Sequence, residues 1–137
     1  MATRSAEIQL AARPRGEPAE SDFRTVQTEL ADPGPGQVLV RNLVMSVDPY
    51  MRGRMDDRPS YVPPWQLDRP LDGAAVGEVV ASQVPELPVG CLVLHPLGWR
   101  EYALVPARRA ERLDPVAGRL IRLWHGWPSL ASLCCYI

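Results

Sequence analysis

Lysine is absent from this chain of 137 residues, whose 15 basic residues are all arginines. Without lysine, the chain can form neither a Schiff base with a carbonyl substrate nor the lysine contact of a P-loop to phosphate. The net charge of -1 provides no general attraction to nucleic acid or to an anionic membrane surface. The composition therefore argues against several catalytic and binding classes.

Cysteine and long apolar runs are also scarce. Two of the three cysteines are adjacent, Cys134 and Cys135, and this set is too small for a disulfide framework. No run approaches the ~20 apolar residues of a membrane span. The N-terminus lacks the apolar core of a signal peptide. We therefore expect a soluble cytoplasmic protein that binds neither nucleic acid nor membrane, and self-association into a homo-oligomer stays open.

Proline and glycine, in contrast, are abundant, with 15 and 10 residues, and they separate short apolar runs. This arrangement is typical of turns between strands and predicts a mainly β fold, a small barrel or a sandwich. Residues Gln37–Val47 are apolar on most of both faces, which predicts a central strand. The predicted strands lie within residues 7–11, 23–30, 37–47, 74–84, 91–95 and 99–105.

The composition changes after residue 117. The stretch "GRLIRLWHGWPSLASLCCYI" holds two of the four tryptophans and no acidic residue. We therefore expect one domain over residues 1–117 and a divergent or truncated tail over residues 118–137, in which Pro128 could begin a helix. The pair Cys134 and Cys135 is open to metal binding, oxidation or simple packing, and packing or terminal disorder is the favoured interpretation.

The segment "SVDPYMRGRM" predicts one helical turn at the end of the central strand. Asp48 is a suitable N-cap, Pro49 suits the first helical position, and Gly53 can end the turn in a left-handed conformation. Asp48 and Arg52 are spaced to form an ion pair. Tyr50 is then either a core aromatic or a residue that lines a cleft with its hydroxyl free for a substrate oxygen.

The same segment carries a family resemblance. The stretch "VRNLVMSVDPYMRGRM" resembles the signature of the zinc-independent medium-chain dehydrogenase/reductases, in the branch of prostaglandin reductases, alkenal double-bond reductases and curcumin reductases. The stretches "RPRGEP", "PGPGQVLVRN", "SYVPPWQLDRPLDGAAVGEVVAS" and "VGCLVLHPLGWREYALV" match the family in the same order. The resemblance covers roughly residues 11–114. Beyond it, "HGWPSLASLCCYI" keeps only Gly126, Pro128 and Leu130 of the family pattern.

The resemblance implies a GroES-like, partly open barrel with short helical turns. In intact family members this catalytic domain packs against a Rossmann domain, which we expect to be absent from this chain. The implied reaction passes hydride from NADPH to the β-carbon of an α,β-unsaturated ketone or aldehyde, followed by protonation of the α-carbon. By resemblance Tyr50, Met51 and Tyr61 are the candidate substrate-binding residues, and no catalytic residue is assigned. We expect this chain alone to bind no NADPH and to be inactive.

A metal site is not expected. The zinc-dependent relatives of this family need Cys, His and Glu ligands, and the equivalent stretch "RPLDGAAVGEV" contains no His or Cys. Cys91 and His95 share one face of a predicted strand but lack further ligands, and His95 and His125 are expected to be ordinary residues. Asp56 and Asp57 are expected at a loop surface.

Two alternatives stay open. Arg52 and Arg54 could attract a phosphate, although a solvated turn is favoured because the 2′-phosphate contacts of the family lie on its Rossmann half. The chain as a whole is either the catalytic-domain portion of an NADP-dependent double-bond reductase or a truncated or frameshifted, non-catalytic GroES-like domain with a binding or oligomerisation role. The change of composition after residue 117 favours the second alternative, and the motifs favour the first.

Overall fold

The computed structural model describes residues 2–114 and 134–136. Within them the chain is mainly β, as predicted. The strands are β1 Thr3–Leu10, β2 Phe23–Leu30, β3 Gln37–Ser46, β4 Ala75–Ser82, β5 Leu92–His95, β6 Tyr102–Pro106, β7 Glu111–Arg112 and β8 Cys134–Tyr136. The helical segments are α1 Tyr50–Arg54 and two 3₁₀ turns, Glu20–Asp22 and Ala107–Arg109. No helix in the part of the chain that the structure describes is long and apolar enough to cross a membrane.

The strands form two antiparallel sheets that do not close on themselves. β1 and β2 make a two-stranded sheet, and the larger sheet has the order β6-β3-β4-β5-β7, with β8 also paired to β3. Backbone hydrogen bonds join the two sheets, since Ile8 N donates to Trp99 O at 2.8 Å and Glu101 N donates to Ala6 O at 2.9 Å. This arrangement confirms the predicted partly open, mainly β fold.

β3 is the central strand, as its two apolar faces predicted. It pairs with β4 along one edge and with β6 and β8 along the other. Two strands begin three or more residues away from their predicted starts. β1 begins at Thr3 rather than Glu7, because Thr3–Ala6 pair with Gln27–Leu30 of β2. β6 begins at Tyr102 rather than Trp99, because Trp99 has a φ of 60°, which a strand cannot accommodate.

Two hydrophobic clusters form the core. The first lies on the larger sheet and comprises Val38, Val40, Val79, Leu87, Val93, Ala103 and Val105. The second lies beneath α1 and comprises Leu10, Met51, Met55, Trp65 and Leu71. Phe23 and Trp99 extend the second cluster, with their rings stacked at a centroid distance of 6.4 Å. The second cluster therefore provides the base on which α1 rests.

Gly77 allows β3 and β4 to approach closely at an irregularity in their pairing. It lies opposite Asn42, next to the register shift between Asn42 and Val44. A Cβ at residue 77 would lie 2.4 Å from Val40 Cγ1 and 2.6 Å from Arg41 O. The second contact is with backbone, which cannot move aside without disturbing β3.

We predict that Gly77→Ala destabilises the fold by about 1–3 kcal/mol, the usual cost of overpacking a well-packed site. The free energy of unfolding can be measured by urea titration followed by tryptophan fluorescence. Gly53→Ala is the matched control, because no atom lies within 4 Å of its added Cβ and Gly53 is helical. The control should be unchanged or more stable by up to about 1 kcal/mol. Equal unfolding midpoints for the two variants would contradict the close approach.

Candidate functional site

The short helix α1 begins where β3 ends, and it places Tyr50 at its first position. The predicted capping by Asp48 is wrong: Pro49 is the N-cap residue, and no side chain caps the helix. The Asp48 carboxylate instead accepts a hydrogen bond from Ser46 Oγ at 2.9 Å. Gly53 lies within the helix and not at a left-handed end, because Met55 closes the turn with a right-handed helical backbone. The turn is therefore built from the proline and from backbone hydrogen bonds.

Arg52 anchors α1 to the loop that follows β1. Its Nη2 and Nε donate to Gly16 O at 2.8 and 3.1 Å. Its Nη1 pairs with the Asp56 carboxylate at 3.1 Å, so the predicted ion pair with Asp48 is wrong, and Asp56 is part of this anchor rather than unengaged loop surface. Arg13 adds a second link by donating to Met55 O at 2.7 Å.

Arg54 anchors the other side of α1. Its side chain is 11% exposed and forms an ion pair with Asp72. Its Nε donates to Pro63 O at 2.9 Å, and its guanidinium lies 4.9 Å from the centre of the Trp65 ring. Trp65 Nε1 also donates to the Asp72 carboxylate at 3.0 Å. All three side chains therefore restrain one another.

The charge of Asp72 is stabilised by this arrangement. Burial acts to raise the pKa of Asp72, but the hydrogen bonds from Arg54 and Trp65 and the charges of Arg54 and Arg100 outweigh it. The pKa of Asp72 is consequently below its ordinary value. Asp72 is an ionised partner for Arg54 at neutral pH, and it is not a proton donor.

A cleft of about 790 Å³ opens between α1 and the segment from β5 to β7. Tyr50, Arg54 and Asp72 are among the residues that line it. Residues with small or apolar side chains form much of the rest, namely Val62, Gly73, Ala74, Leu94, Pro96 and Ala110. His95, Arg108, Arg109 and Glu111 complete the lining. A second cavity of about 220 Å³ adjoins the cleft, because Tyr50, Arg54 and Val62 line both.

The three predicted substrate-binding residues have different environments. Tyr50 is 38% exposed and lines both cavities. Tyr61 is 85% exposed and lines the smaller cavity together with Tyr50. Met51 is 2% exposed and belongs to the core cluster under α1, so it lines neither cavity. Tyr50 and Tyr61 thus come together, and Met51 supports Tyr50 from beneath.

Both ring nitrogens of His95, a residue of the cleft lining, form hydrogen bonds within the fold. Its Nδ1 accepts a hydrogen bond from Leu97 N at 3.0 Å, so its Nε2 carries the proton and donates to Asn42 Oδ1 at 2.6 Å. The Asn42 amide in turn donates to Leu97 O and Arg100 O at 3.0 and 2.9 Å. Burial, and secondarily the charge of Arg100, lower the pKa of His95 to about 4. His95 is therefore neutral at physiological pH.

Cys91 and His95 do not form a pair of metal ligands. His95 is bound to Asn42, whereas Cys91 lies one residue before β5 and is partly exposed. Burial raises the pKa of the Cys91 thiol, against an opposing effect of Arg112. Among residues 2–114 no group of three or more His, Cys, Asp or Glu side chains is arranged to hold a metal ion. The predicted helix at Pro128 and the predictions for His125 lie outside the described residues.

Sequence reasoning did not identify the roles of Asp72, His95, Arg108 and Arg109 in the cleft. All four are far from Tyr50 along the chain: Asp72 precedes β4, His95 ends β5, and Arg108 and Arg109 share the 3₁₀ turn Ala107–Arg109. Their only local signal is the doubled arginine directly after a strand, which by itself predicts a solvated turn. Their proximity to Tyr50 depends on the pairing of β3 with β4 and β6, and on the pairing of β4 with β5.

This chain is similar to known proteins in both sequence and fold. Residues 6–113 match a family model described as the N-terminal domain of oxidoreductase. The NADPH-dependent curcumin reductase of Escherichia coli is 46% identical over 93 residues, which are 68% of this chain and 27% of that protein. The NADP⁺-dependent 2-alkenal reductase of Nicotiana tabacum is 39% identical over 94 residues, which are 66% of this chain and 27% of that protein.

A solved structure is also similar to this chain in both fold and sequence. The crystal structure of CurA from Vibrio vulnificus in complex with NADPH superposes with a TM-score of 0.72 at 40% identity. The match covers 79% of this chain and 31% of the CurA chain. This chain therefore spans about a third or less of the length of the proteins that it matches.

We predict that His95 makes the fold sensitive to mild acid. The pKa of His95 is about 4, below its ordinary value of 6.5, so the unfolded chain binds the proton more tightly. Stability is therefore full above pH 6.5 and is lost as pH falls towards 4, by on the order of 2–3 kcal/mol at about 1.4 kcal/mol for each unit of pKa shift. Urea unfolding between pH 7.5 and 4.5 measures this loss.

His95→Gln is the matched variant, because its amide can still donate to Asn42 but does not titrate. All other acidic and histidine residues are common to both proteins, so their contributions cancel in the comparison. Between pH 7.5 and 4.5 the free energy of unfolding of the variant should therefore fall by about 2–3 kcal/mol less than that of the original protein. Parallel pH profiles for the two proteins would show that His95 is not the group responsible.

Proposed function

This chain belongs to the family of oxidoreductase N-terminal domains, and we propose that it provides the substrate-binding part of an NADP-dependent reductase acting on the C=C bond of α,β-unsaturated ketones or aldehydes. The names of the matched curcumin and 2-alkenal reductases support this reaction class. We assign the GroES-like catalytic domain to residues 1–117 and treat residues 118–137 as a divergent or truncated tail, of which β8 pairs with β3. The location of Tyr50 between two adjoining cavities is the observation that carries the proposal.

In this proposal Tyr50 binds the carbonyl oxygen of the substrate. Its ring provides an apolar wall, and its hydroxyl is a hydrogen-bond donor, a combination that suits an enone with an apolar body and one polar oxygen. Reduction of the conjugated double bond moves negative charge onto that oxygen. A donor that is already positioned there stabilises the charge as it develops. Tyr61, which lines the smaller cavity, would contact the substituent beyond the carbonyl.

The remaining side chains hold Tyr50 in place. Arg52 and Arg54 bind α1 to the loops on either side, so the first residue of the helix has a defined position. Met51 is buried in the core cluster beneath α1, and its packing there fixes the position of the helix on the core. The short helix would be unstable in isolation, and these contacts are what make its orientation reproducible.

NADPH is the cofactor named for the matched CurA complex. A dinucleotide is held by a glycine-rich turn that leads from a strand into a helix N-terminus. Among residues 2–114 the longest helix is α1, with five residues, and it follows Asp48 and Pro49 rather than a glycine-rich turn. The described residues therefore do not fit the cofactor by themselves, and we assign none of them to its binding.

We predict that the purified chain binds the neutral enone 4-phenyl-3-buten-2-one in the cleft. NMR titration should shift the backbone signals of Tyr50, Tyr61 and Ala74. Tyr50→Phe should weaken binding by about two- to tenfold, since a neutral hydrogen bond contributes roughly 0.5–1.5 kcal/mol. Tyr102→Phe is the control, because Tyr102 lines neither cavity. Equal affinities of the original chain and both variants for the enone would show that the Tyr50 hydroxyl does not bind it.

Catalysis requires a cofactor-binding partner, and residues 1–114 can be joined to the remainder of the E. coli curcumin reductase for this purpose. In that chimera Tyr50→Phe should lower kcat and kcat/KM together by roughly ten- to a hundredfold, because the hydrogen bond strengthens as charge develops. Consumption of NADPH in the presence of the enone measures the rate. If Tyr50→Phe changes neither parameter while Tyr50→Ala only lowers Tm, Tyr50 is a core aromatic.

A further inference from the structure

Two arginines in the cleft have no partner in the part of the chain that the structure describes. Arg108 and Arg109 line the cleft of Tyr50, are exposed, and form neither an ion pair nor a side-chain hydrogen bond there. Arg54, the third arginine of the cleft, is by contrast fully engaged with Asp72 and Pro63. Two cationic groups in the same cleft are therefore available to a ligand.

The backbone holds this pair in a defined position. Pro106 ends β6 in an extended conformation, and the 3₁₀ turn Ala107–Arg109 follows directly. Ala107 N donates to Gly36 O at 2.9 Å, and Ala110 N donates to Ala107 O at 3.1 Å. Ala107 and Ala110 pack against the core of the larger sheet. With the alanines on either side turned to the core, the two arginines are held at the surface of the cleft.

The charges of the cleft leave an excess of positive charge. Arg54 and Asp72 neutralise each other as an ion pair, and His95 is neutral. Glu111 is the other acidic residue of the lining, and it forms no ion pair with Arg108 or Arg109. An uncharged substrate would form no ion pair with either guanidinium group. A carboxylate could accept hydrogen bonds from their paired N–H donors.

We propose that Arg108 and Arg109 bind an acidic group on the substrate, so that the cleft prefers an enone or enal that carries a carboxylate or phosphate ester away from its double bond. The proposal rests on the function proposed above, because it assumes that the enone lies beside Tyr50. Tyr50 and the two arginines, which line the same cleft, would then bind the two ends of one molecule. A phosphate of the nucleotide cofactor offers the same anionic chemistry, and the test below separates the two sources.

The probes are 4-phenyl-3-buten-2-one and its para-carboxylate, which differ only in the charged group. We expect the purified chain to bind the carboxylate about two- to fivefold more tightly, the gain typical of an exposed charge pair. The double variant Arg108→Gln/Arg109→Gln should bind the two probes equally, with its affinity for the neutral enone unchanged. Arg69→Gln removes an exposed arginine that does not line the cleft and should keep the preference.

The outcomes separate this proposal from the one on which it rests. Equal binding of the two probes by the original chain overturns the acidic substrate and leaves the enone site intact. Failure of both probes to shift Tyr50 overturns both proposals. A third titration uses 2′,5′-ADP as the nucleotide probe. If it shifts Arg108 and Arg109 while the carboxylate does not, the anion belongs to the cofactor and the substrate assignment is wrong.

Raising the salt concentration provides an independent check. At about 0.5 M NaCl the Debye length falls to a few ångströms, so an exposed charge pair is largely screened. The preference for the carboxylate should then fall below about twofold, while binding of the neutral enone stays the same. A preference that survives high salt would arise from the shape or size of the probe, and it would contradict a role for the two arginines.

Discussion

The guanidinium of Arg54 joins three stretches of chain that cannot hold one another by backbone pairing alone. It forms an ion pair with Asp72, donates to Pro63 O and lies over the Trp65 ring. The helix α1, from which it projects, has only five residues and is far too short to be stable by itself. The direction in which α1 presents Tyr50 therefore depends on this side chain, which is itself nearly buried and has few alternative positions.

The two hydrophobic clusters explain why a cleft exists beside this anchor. One cluster belongs to the larger sheet, and the other lies beneath α1, so each fills the space under its own part of the fold. The cleft opens between α1 and the segment from β5 to β7, where polar and charged side chains lie among small and apolar ones. Gly73 and Ala74, which have small side chains, line part of the cleft. The site thus results from two well-packed regions that meet along a polar boundary.

Hydrogen bonding at this boundary separates structural polar groups from those that are available to a ligand. Asn42 and His95 satisfy each other within the fold, and the low pKa of His95 keeps the pair neutral. Asp72 is committed to Arg54 and Trp65. Tyr50, Arg108, Arg109 and Glu111 are exposed in the cleft, and the hydroxyl and the two cations among them are the groups that we propose for recognition of a ligand. One hydroxyl and two cations that line the same partly apolar cleft suit a substrate with a carbonyl at one end and an acid at the other.

The sequence alone determined much of the architecture, because its information is local. Alternating and continuous apolar runs predicted the strands and the central position of β3, and the segment from Ser46 to Met55 predicted a helical turn with Tyr50 at its start. The ordered motifs also indicated the family. Local rules failed where several partners compete for one side chain: Arg52 pairs with Asp56 and Gly16 rather than with Asp48.

Only the tertiary structure decided which residues share the cleft. Met51 has the same local environment in sequence as Tyr50, yet the packing of α1 buries one side chain and exposes the other. His95 and the arginines at 108 and 109 come near Tyr50 because β4, β5 and β6 pair with their neighbours in a particular order. Such contacts join positions that are distant along the chain. No spacing or periodicity in the sequence encodes them, since they depend on strand register and on the shape of the whole core.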